Sequence, residues 1–324
     1  MSNEKHIKTY VDFLKRSIQI ERPLKVVFDC SNGTTGLIIK RLFTHNSLLT
    51  THYLNIVPDG NFPAHGPDPL KKSAIGNLRS AVLKHNADLG IIFDADGDRV
   101  FFIDNKGRFI DPDVIARLLI WQLKPKRIVI DVRTGRLVKE FSIFNFQFSI
   151  SRVGHYFIKK LMRKIGADFG VERSGHYYFK IYNPSIFYTD SGILAAIEVI
   201  NAVSKLLYGL ADFVDLSPQY YRSGEINIKA SGFNLATVEK HYKKTAKRIS
   251  RLDGLTMEFN PPPLKGCNGK CFKGKLLSKG GGWWFNIRPS NTEPLIRLNI
   301  EAASPETLKK EKNKLTKIIG SAIN

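Results

Sequence analysis

The stretch Leu89-Gly90-Ile91-Ile92-Phe93-Asp94-Ala95-Asp96-Gly97-Asp98-Arg99-Val100-Phe101-Phe102 constrains this chain more than any other. An apolar run, a tight acidic loop and a second apolar run read as strand, loop and strand. Three carboxylates at alternate positions, with only Ala and Gly between them, can turn inward around one small hard cation. Mg²⁺ suits such a set, because it takes oxygen ligands in octahedral geometry and keeps places for water or a phosphate oxygen. Asp94, Asp96 and Asp98 are therefore the candidate metal ligands, and Arg99 sets a guanidinium fork beside them that fits a phosphate oxygen. The same residues could open an EF-hand loop, but that motif needs flanking helices and a glutamate at its twelfth position, where this chain has Asn105. An acidic β-turn without metal is the other reading of the loop.

A chain of 324 residues has room for two or three domains. Its 43% hydrophobic and 24% charged residues are those of a soluble globular protein. No apolar run approaches the ~18 residues of a membrane span, and the polar start Met1-Ser2-Asn3-Glu4-Lys5-His6 lacks a signal-peptide core. A cytoplasmic location with no membrane partner is expected. Cys30, Cys267 and Cys271 are too few, and odd in number, for a disulfide framework. Cys267 and Cys271 would make half a metal site; with no second Cys or His pair nearby they read as ordinary thiols. The formal charge of +21, from 50 basic and 29 acidic residues, raises nucleic acid as a partner. The lysines are widely spread, however, without an RNA-binding signature or a basic arm. Solvated helix faces account for most of the charge, an anionic small substrate would also benefit from it, and nucleic acid is not the expected partner.

Along the chain, periodicity predicts a helix over 10–18 with Tyr10, Phe13, Leu14 and Ile18 on one side. A strand over 24–29 and a turn bearing Gly33 and Gly36 lead into a helix to 43, the opening of a βαβ unit. Such a turn can hold phosphate, but two glycines are a weak signal and close packing is the safer account. Residues 45–51 read as a polar passage, 59–69 as irregular loop and 70–85 as helix, and the hairpin of the acidic loop turns at Asn105-Lys106-Gly107. A helix over 113–123 precedes a strand over 127–132, with Arg133 at the C-terminal end where ligands sit in open α/β sheets. Then come a β-like run over 141–153, a helix over 156–165, an aromatic strand over 177–181 and a helix over 190–208. Beyond Ser217-Pro218 the character changes. A short strand over 226–228 and a basic helix over 238–252 are followed by a Pro- and Gly-rich loop over 260–282, strands over 283–287 and 295–302, and a final helix from 305 with Leu308, Leu315, Ile318 and Ile319 on its apolar side. The expected class is α/β: two successive α/β domains over 1–120 and 121–219, then a small α+β domain over 220–324. No internal repeat is strong enough to assert, though the successive βα blocks suggest two similar domains.

Three further loops carry chemistry. In Glu172-x-Ser174-Gly175-His176, a carboxylate and a hydroxyl suit vicinal sugar hydroxyls, since a carboxylate accepts two O–H donors at once. His176 can move a proton near neutral pH. Taken alone, such a loop is more often plain surface. Arg288-x-Ser290-Asn291-Thr292, with Arg297 downstream, brings together two guanidiniums, two hydroxyls, an amide and turn N–H groups, a full set of phosphate donors; a capping turn is the alternative. Gly154-His155 starts a helix carrying Lys159 and Lys160, which favours an anion, though a structural histidine reads equally well.

The order of Asp94-Ala95-Asp96-Gly97-Asp98-Arg99, Gly170-Val171-Glu172-Arg173-Ser174-Gly175-His176 and Arg288-Pro289-Ser290-Asn291-Thr292-Glu293-Pro294 resembles that of the α-D-phosphohexomutase family, which includes phosphomannomutases and phosphoglucomutases. Asp59-Gly60-Asn61-Phe62-Pro63, Ser151-Arg152-Val153-Gly154-His155 and Ser223-Gly224-Glu225-Ile226-Asn227 add to the resemblance, which runs over 10–302 and looks closest to the bacterial phosphomannomutases. It implies transfer of a phosphoryl group between C1 and C6 of a hexose phosphate, through a hexose bisphosphate and an active-site phosphoserine. By resemblance the acidic loop binds Mg²⁺, and Mg²⁺ with Arg99 stabilises the transferring group. Glu172, Ser174 and Gly175 orient the sugar, while Arg288, Ser290, Asn291, Thr292 and Arg297 grip the non-reacting phosphate. Arg133 stands where the family carries a basic residue, and His155 and His176 match histidines of the sugar pocket. One departure is expected to matter. The family's first domain carries the nucleophilic serine in a Thr-Ala-Ser-His-Asn-Pro type loop, before a helix like 10–18, and this chain begins almost at that helix. Thr44-His45-Asn46-Ser47 is not a stand-in, having Thr for Ser, no Pro and the wrong place in the order. The expectation is a chain inactive alone, whose N-terminal phosphoserine domain is separately encoded or was lost from a misannotated start. The alternative is a non-catalytic sugar-phosphate binder or regulator. An apolar face left uncovered and self-association are expected with either.

Overall fold

The computed structural model describes residues 2–44, 46–141, 146–229, 233–260, 282–290 and 293–321. The apolar runs of the sequence close into three separate sheets. The first unit comprises α1 (Ser2–Lys15), β1 (Leu24–Asp29), α2 (Gly36–Phe43), β2 (Leu49–Leu54), α3 (Lys72–Lys84), β3 (Leu89–Phe93) and β4 (Val100–Asp104), with strand order β2-β1-β3-β4. β1 runs parallel to β2 and β3, and β4 turns back antiparallel to β3. Every residue of β3 and β4 is buried, as befits strands covered on both faces.

The second unit repeats this plan. α4 (Pro112–Leu123), β5 (Arg127–Asp131), α5 (Arg136–Lys139), β6 (Gln147–Ser151), α6 (His155–Ile165), β7 (Phe169–Glu172), β8 (His176–Tyr182) and β9 (Ile186–Asp190) give the order β6-β5-β7-β8-β9. β5 is parallel to β6 and β7, and β7-β8-β9 is antiparallel, so four of its strands reproduce the first sheet. The likeness that the successive βα blocks suggest is thus a shared topology. α7 (Gly192–Lys205) and α8 (Leu210–Leu216) follow. α7 buries twelve of its fourteen residues, and a helix apolar all round belongs inside. It packs on α4 and touches β3, β4 and β8, so one core joins the first two units. Asn201 and Ser204 of α7 accept the backbone N–H groups of Gln19 (2.8 Å) and Glu21 (3.0 Å), fixing the segment after α1.

The third unit is an antiparallel sheet with its own core. β10 (Tyr221–Lys229), α9 (Leu235–Tyr242), β11 (Arg248–Ser250), β12 (Leu255–Phe259), β13 (Trp283–Pro289), β14 (Leu295–Ala302) and α10 (Pro305–Ser321) give the order β10-β14-β13-β12-β11. No single helix among the described residues is long and apolar enough to cross a membrane.

Several local expectations are corrected. α1 starts earlier and turns Ile7, Val11 and Leu14 inward, while Tyr10 stays 38% exposed. The polar passage at 45–51 runs into the edge strand β2, where Thr50 is exposed and Thr51 and His52 are half-covered. The helix expected over 190–208 is β9 at its start and α7 thereafter. The basic helix expected over 238–252 stops at Tyr242, where the N–H groups of Thr245 and Ala246 both donate to the Tyr242 carbonyl, and the chain continues into β11. Of the β-like run over 141–153, residues 147–151 are strand and 142–145 lie outside the described residues. His45, Cys267, Cys271 and most of the 260–282 loop also lie outside them. Tyr10 and Phe187, 38% and 40% exposed, border a hollow of about 350 Å³ between α1 and β9.

Ile197, 1% exposed, lies in the core that joins the first two units. Ile197→Ala is expected to cost about 2–5 kcal/mol by chemical denaturation. A loss confined to one of two resolved transitions would show that the units do not share this core.

Candidate active site

The acidic loop is built from β3 outward. Asp94 is buried at 3% and its carboxylate accepts the backbone N–H groups of Gly97 (3.0 Å) and Arg99 (3.2 Å) and the Arg99 Nε–H (2.6 Å). The turn after β1 braces the loop: Thr34 N–H donates to the Ala95 carbonyl at 2.9 Å, and a Cβ on Gly33 would stand 2.2 Å from the same oxygen. Gly33 therefore serves close packing. One oxygen from each of Asp94, Asp96 and Asp98 lies within 4.8 Å of the others, an all-oxygen set that suits a hard cation. Asp98, His176 and Asp190 are equally close, but that group includes a ring nitrogen, and Asp190 is paired with Lys159 at 3.1 Å. Burial, with the neighbouring Asp98 carboxylate, raises Asp94 to about 6 against the pull of Arg99. Asp98 is drawn down to about 2, chiefly by its hydrogen bond with His176. A carboxyl kept partly protonated chiefly by burial, and also by an acidic neighbour, is one that a dication would release, so the donor set fits Mg²⁺.

The β7–β8 loop is stitched to the acidic loop. Val100 N–H donates to the Gly175 carbonyl at 3.1 Å, Arg99 and His176 form an isolated bridge, and His176 Nε2 meets Asp98 at 3.1 Å. Gly175 has φ +92°, and a Cβ there would stand 2.6 Å from the Phe101 ring. Ser174 Oγ pairs with His176 Nδ1 at 2.9 Å. Glu172 is 4% exposed; Arg133 donates to one of its oxygens (3.0 Å) and the Tyr178 hydroxyl to the other (2.7 Å). Arg133 is also held by Asp131 at 2.7 Å.

In the third unit Arg288 and Arg297 face one another across β13 and β14. Both donate to Glu225, at 3.2 and 3.0 Å, and Arg297 donates to Ser290 Oγ at 3.4 Å. Asn291 and Thr292 lie outside the described residues.

A cleft of about 340 Å³ collects Arg99 from the first unit, Arg133 and Ser174 from the second, and Glu225 from the third. His155, exposed at the first turn of α6, is not among the described residues that line it.

No motif in the sequence marks the junction beneath the cleft. Asp111 caps α4, and Arg173 donates to it at 3.1 and 2.7 Å. Arg222 of β10 pairs with Asp113 of α4 and with Glu301 of β14. Glu301 also accepts Trp284 Nε1–H (2.7 Å) and Arg136 N–H (2.9 Å), while Asp113 accepts Gly135 N–H (2.8 Å). Burial, its largest influence, raises Asp113, whereas Asp111 is held near 2 by Arg173 and Arg222 in spite of burial.

Comparison with known proteins bears on this three-part site. Models of phosphoglucomutase/phosphomannomutase alpha/beta/alpha domain II, alpha/beta/alpha domain III and the C-terminal domain match residues 6–107, 111–220 and 262–318. The chain belongs to the α-D-phosphohexomutase family. It is 35% identical over 315 residues to a phosphomannomutase of Methanocaldococcus jannaschii, covering 95% of this chain and 63% of that one. It is 33% identical over 307 residues to a phosphomannomutase of Salmonella typhimurium, covering 90% and 62%. Among solved structures, a phosphoglucomutase/phosphomannomutase family protein of Burkholderia thailandensis superposes with TM-score 0.78 at 24% identity, over 98% of this chain and 64% of that one. An Aspergillus fumigatus N-acetylphosphoglucosamine mutase, determined with GlcNAc-6P and magnesium, gives 0.62 at 15% identity, over 97% and 64%. The chain thus spans a little over three fifths of the relatives it matches, and carries the phosphohexomutase domains II to IV.

Arg222 is the cation that faces both Asp113 and Glu301. Arg222→Met is expected to cost about 3–5 kcal/mol, because it leaves buried carboxylates short of a partner. Adding Glu301→Gln should recover part of that loss. A urea midpoint unmoved by Arg222→Met would show that the junction holds without it.

Proposed function

We propose that this chain supplies the metal-, sugar- and phosphate-binding parts of a phosphohexomutase that moves a phosphoryl group between C1 and C6 of a hexose phosphate. The observation that carries the reading is the single cleft in which cations from three sheets converge beside the acidic loop. In this reading Asp94, Asp96 and Asp98 hold Mg²⁺, which when bound supplies positive charge to a phosphoryl group in transfer. Arg99 is fixed by Asp94 and presents its remaining N–H groups to the same oxygens. Ser174 lies in the cleft to meet a sugar hydroxyl, and the Asp98-His176-Ser174 chain of contacts offers a route for a proton. Glu172 and Gly175 shape this loop, with Glu172 acting through Arg133. Arg288, Ser290 and Arg297, with Asn291 and Thr292 by sequence, take the phosphate at the far end of the sugar. His155 would join from α6 once a substrate is bound.

The phosphoryl carrier of such an enzyme is a serine on a further domain, and we place that domain against the first unit. The apolar hollow beside Tyr10, Phe13 and Phe187 supports a seat for it. That hollow is also lined by Asp190 and Ser191, next to Gly192, whose N–H donates to Gly97 of the acidic loop at 3.0 Å.

Calorimetric titration with glucose 1,6-bisphosphate in Mg²⁺ tests the reading. Binding is expected in the full chain, with about a 100-fold loss in Arg288→Ala, as for a charge-assisted pair of about 3 kcal/mol. Undiminished binding in Arg288→Ala would remove the phosphate role from β13. Binding without turnover after a phosphoserine domain is added would favour a sugar-phosphate binder.

Asp94 must lose its proton to hold a cation and keeps it up to about pH 6. Mg²⁺ affinity is therefore expected to fall about tenfold from pH 7 to pH 5 and to level off above pH 7. An affinity unmoved by pH, or by Asp94→Asn, would place the metal elsewhere.

A further inference from the structure

Glu225 is the one carboxylate among the described residues that line the cleft, whose lining also includes Arg99, Arg133, Arg173 and Arg222. Arg288 and Arg297 do not line it. Glu225 stands between: one oxygen accepts from Arg297 at 3.0 Å, the other from Arg288 at 3.2 Å, and Arg133 approaches to 4.0 Å. Two guanidiniums directly opposite in an antiparallel pair repel unless an anion lies between them, and Glu225 is that anion. Its place is built in. The β10–β14 register shifts between Arg222 and Glu225, and Gly224 takes φ +68° in the bulge, so Arg222 faces the buried junction while Glu225 faces the arginines. The Nε–H groups of Arg288 and Arg297 are buried with no hydrogen-bond partner among the described residues, so the carboxylate leaves donors that another oxyanion could take.

We propose that Glu225 is a built-in counter-anion of the phosphate grip. It holds Arg288 and Arg297 in register while the site is empty, and an incoming phosphate must displace it. The inference rests on the reading of Arg288 and Arg297 as that grip. A dianion set beside a fixed carboxylate is opposed by like charge, so phosphate binds only as Glu225 gives up its two ion pairs. The exchange keeps the arginines paired in both states and weakens the grip. A site that must release either end of a hexose bisphosphate needs that weakening.

Titration of the full chain with inorganic phosphate, and separately with glucose 6-phosphate, distinguishes an internal competitor from a plain positioning residue, because the two predict opposite signs. Glu225→Gln is expected to bind both ligands about tenfold tighter than the wild type, the gain from removing one opposing charge of about 1.4 kcal/mol. Glu225→Asp keeps the charge but shortens its reach, and should fall between them; it serves also if the glutamine variant folds poorly. Equal, weaker or undetectable binding by Glu225→Gln, or weaker binding by Glu225→Asp, overturns the proposal. Arg288→Ala separates the two layers. If it abolishes wild-type binding while Glu225→Gln brings no gain, the grip stands and the counter-anion role fails. If it leaves phosphate binding intact, the grip reading itself fails.

Discussion

Asp113 and Glu301 are both buried to 1% or less, and Arg222 is the guanidinium that pairs with both. Two such carboxylates from different units would repel at close range without it. The position of the third sheet depends on this contact together with other polar bonds across the boundary. Arg136 N–H reaches Glu301, its guanidinium reaches the Phe259 carbonyl at 3.1 Å, and Val153 N–H reaches Asp253 at 3.0 Å. Polar boundaries of this kind hold a geometry through direction more than through buried area. Arg173 extends the same cluster into the loop that carries Ser174 and His176, so the seat of the third sheet and the setting of that loop share one set of charges.

The first two units are joined differently. Their boundary is an apolar core around α7, together with backbone contacts from Val100 to Gly175 and from Gly192 to Gly97. Backbone hydrogen bonds and close packing tolerate little movement. The acidic loop and the Ser174–His176 loop therefore behave as one rigid piece, while the sheet bearing Arg288 and Arg297 is carried on a charged joint. On the proposed reading, that division sets a fixed geometry at the acidic loop beside an adjustable wall at Arg288 and Arg297.

The motif loops are legible in the sequence. Asp94 to Arg99, Glu172 to His176 and Arg288 to Arg297 are short, and each has residues whose chemistry can be read locally. The α/β class and the change of character after Ser217 follow from strand and helix periods in the same way. The joint was not legible. Arg222 and Asp113 are 109 residues apart, and each looks like an ordinary surface charge in its own segment. Glu225 entered only within a stretch matched by resemblance, because nothing in Ser223-Gly224-Glu225 shows a bulge that turns it toward two arginines on other strands. Edge strands were missed for a local reason: β2 and β11 carry Thr, His, Arg and Ser that are only partly covered, so the apolar signal that marks β3 is missing from them.

The same distinction governs the electrostatics. A formal charge of +21 suggests a protein organised around binding anions at large, yet in the cleft almost every guanidinium already has a carboxylate. Arg99 is held by Asp94, Arg133 by Asp131 and Glu172, Arg173 by Asp111, and Arg222 by Asp113 and Glu301. The diffuse excess sits on solvated faces, where salt screens it within about 10 Å and where it can speed the arrival of an anionic substrate. It cannot choose among anions. Choice requires donors fixed in direction, and each pairing carboxylate in the cleft fixes one arginine at the cost of part of its attraction. On the proposed reading, selectivity at this site comes from how the paired charges are aimed, and a substrate would bind by offering better-placed oxygens than the protein's own.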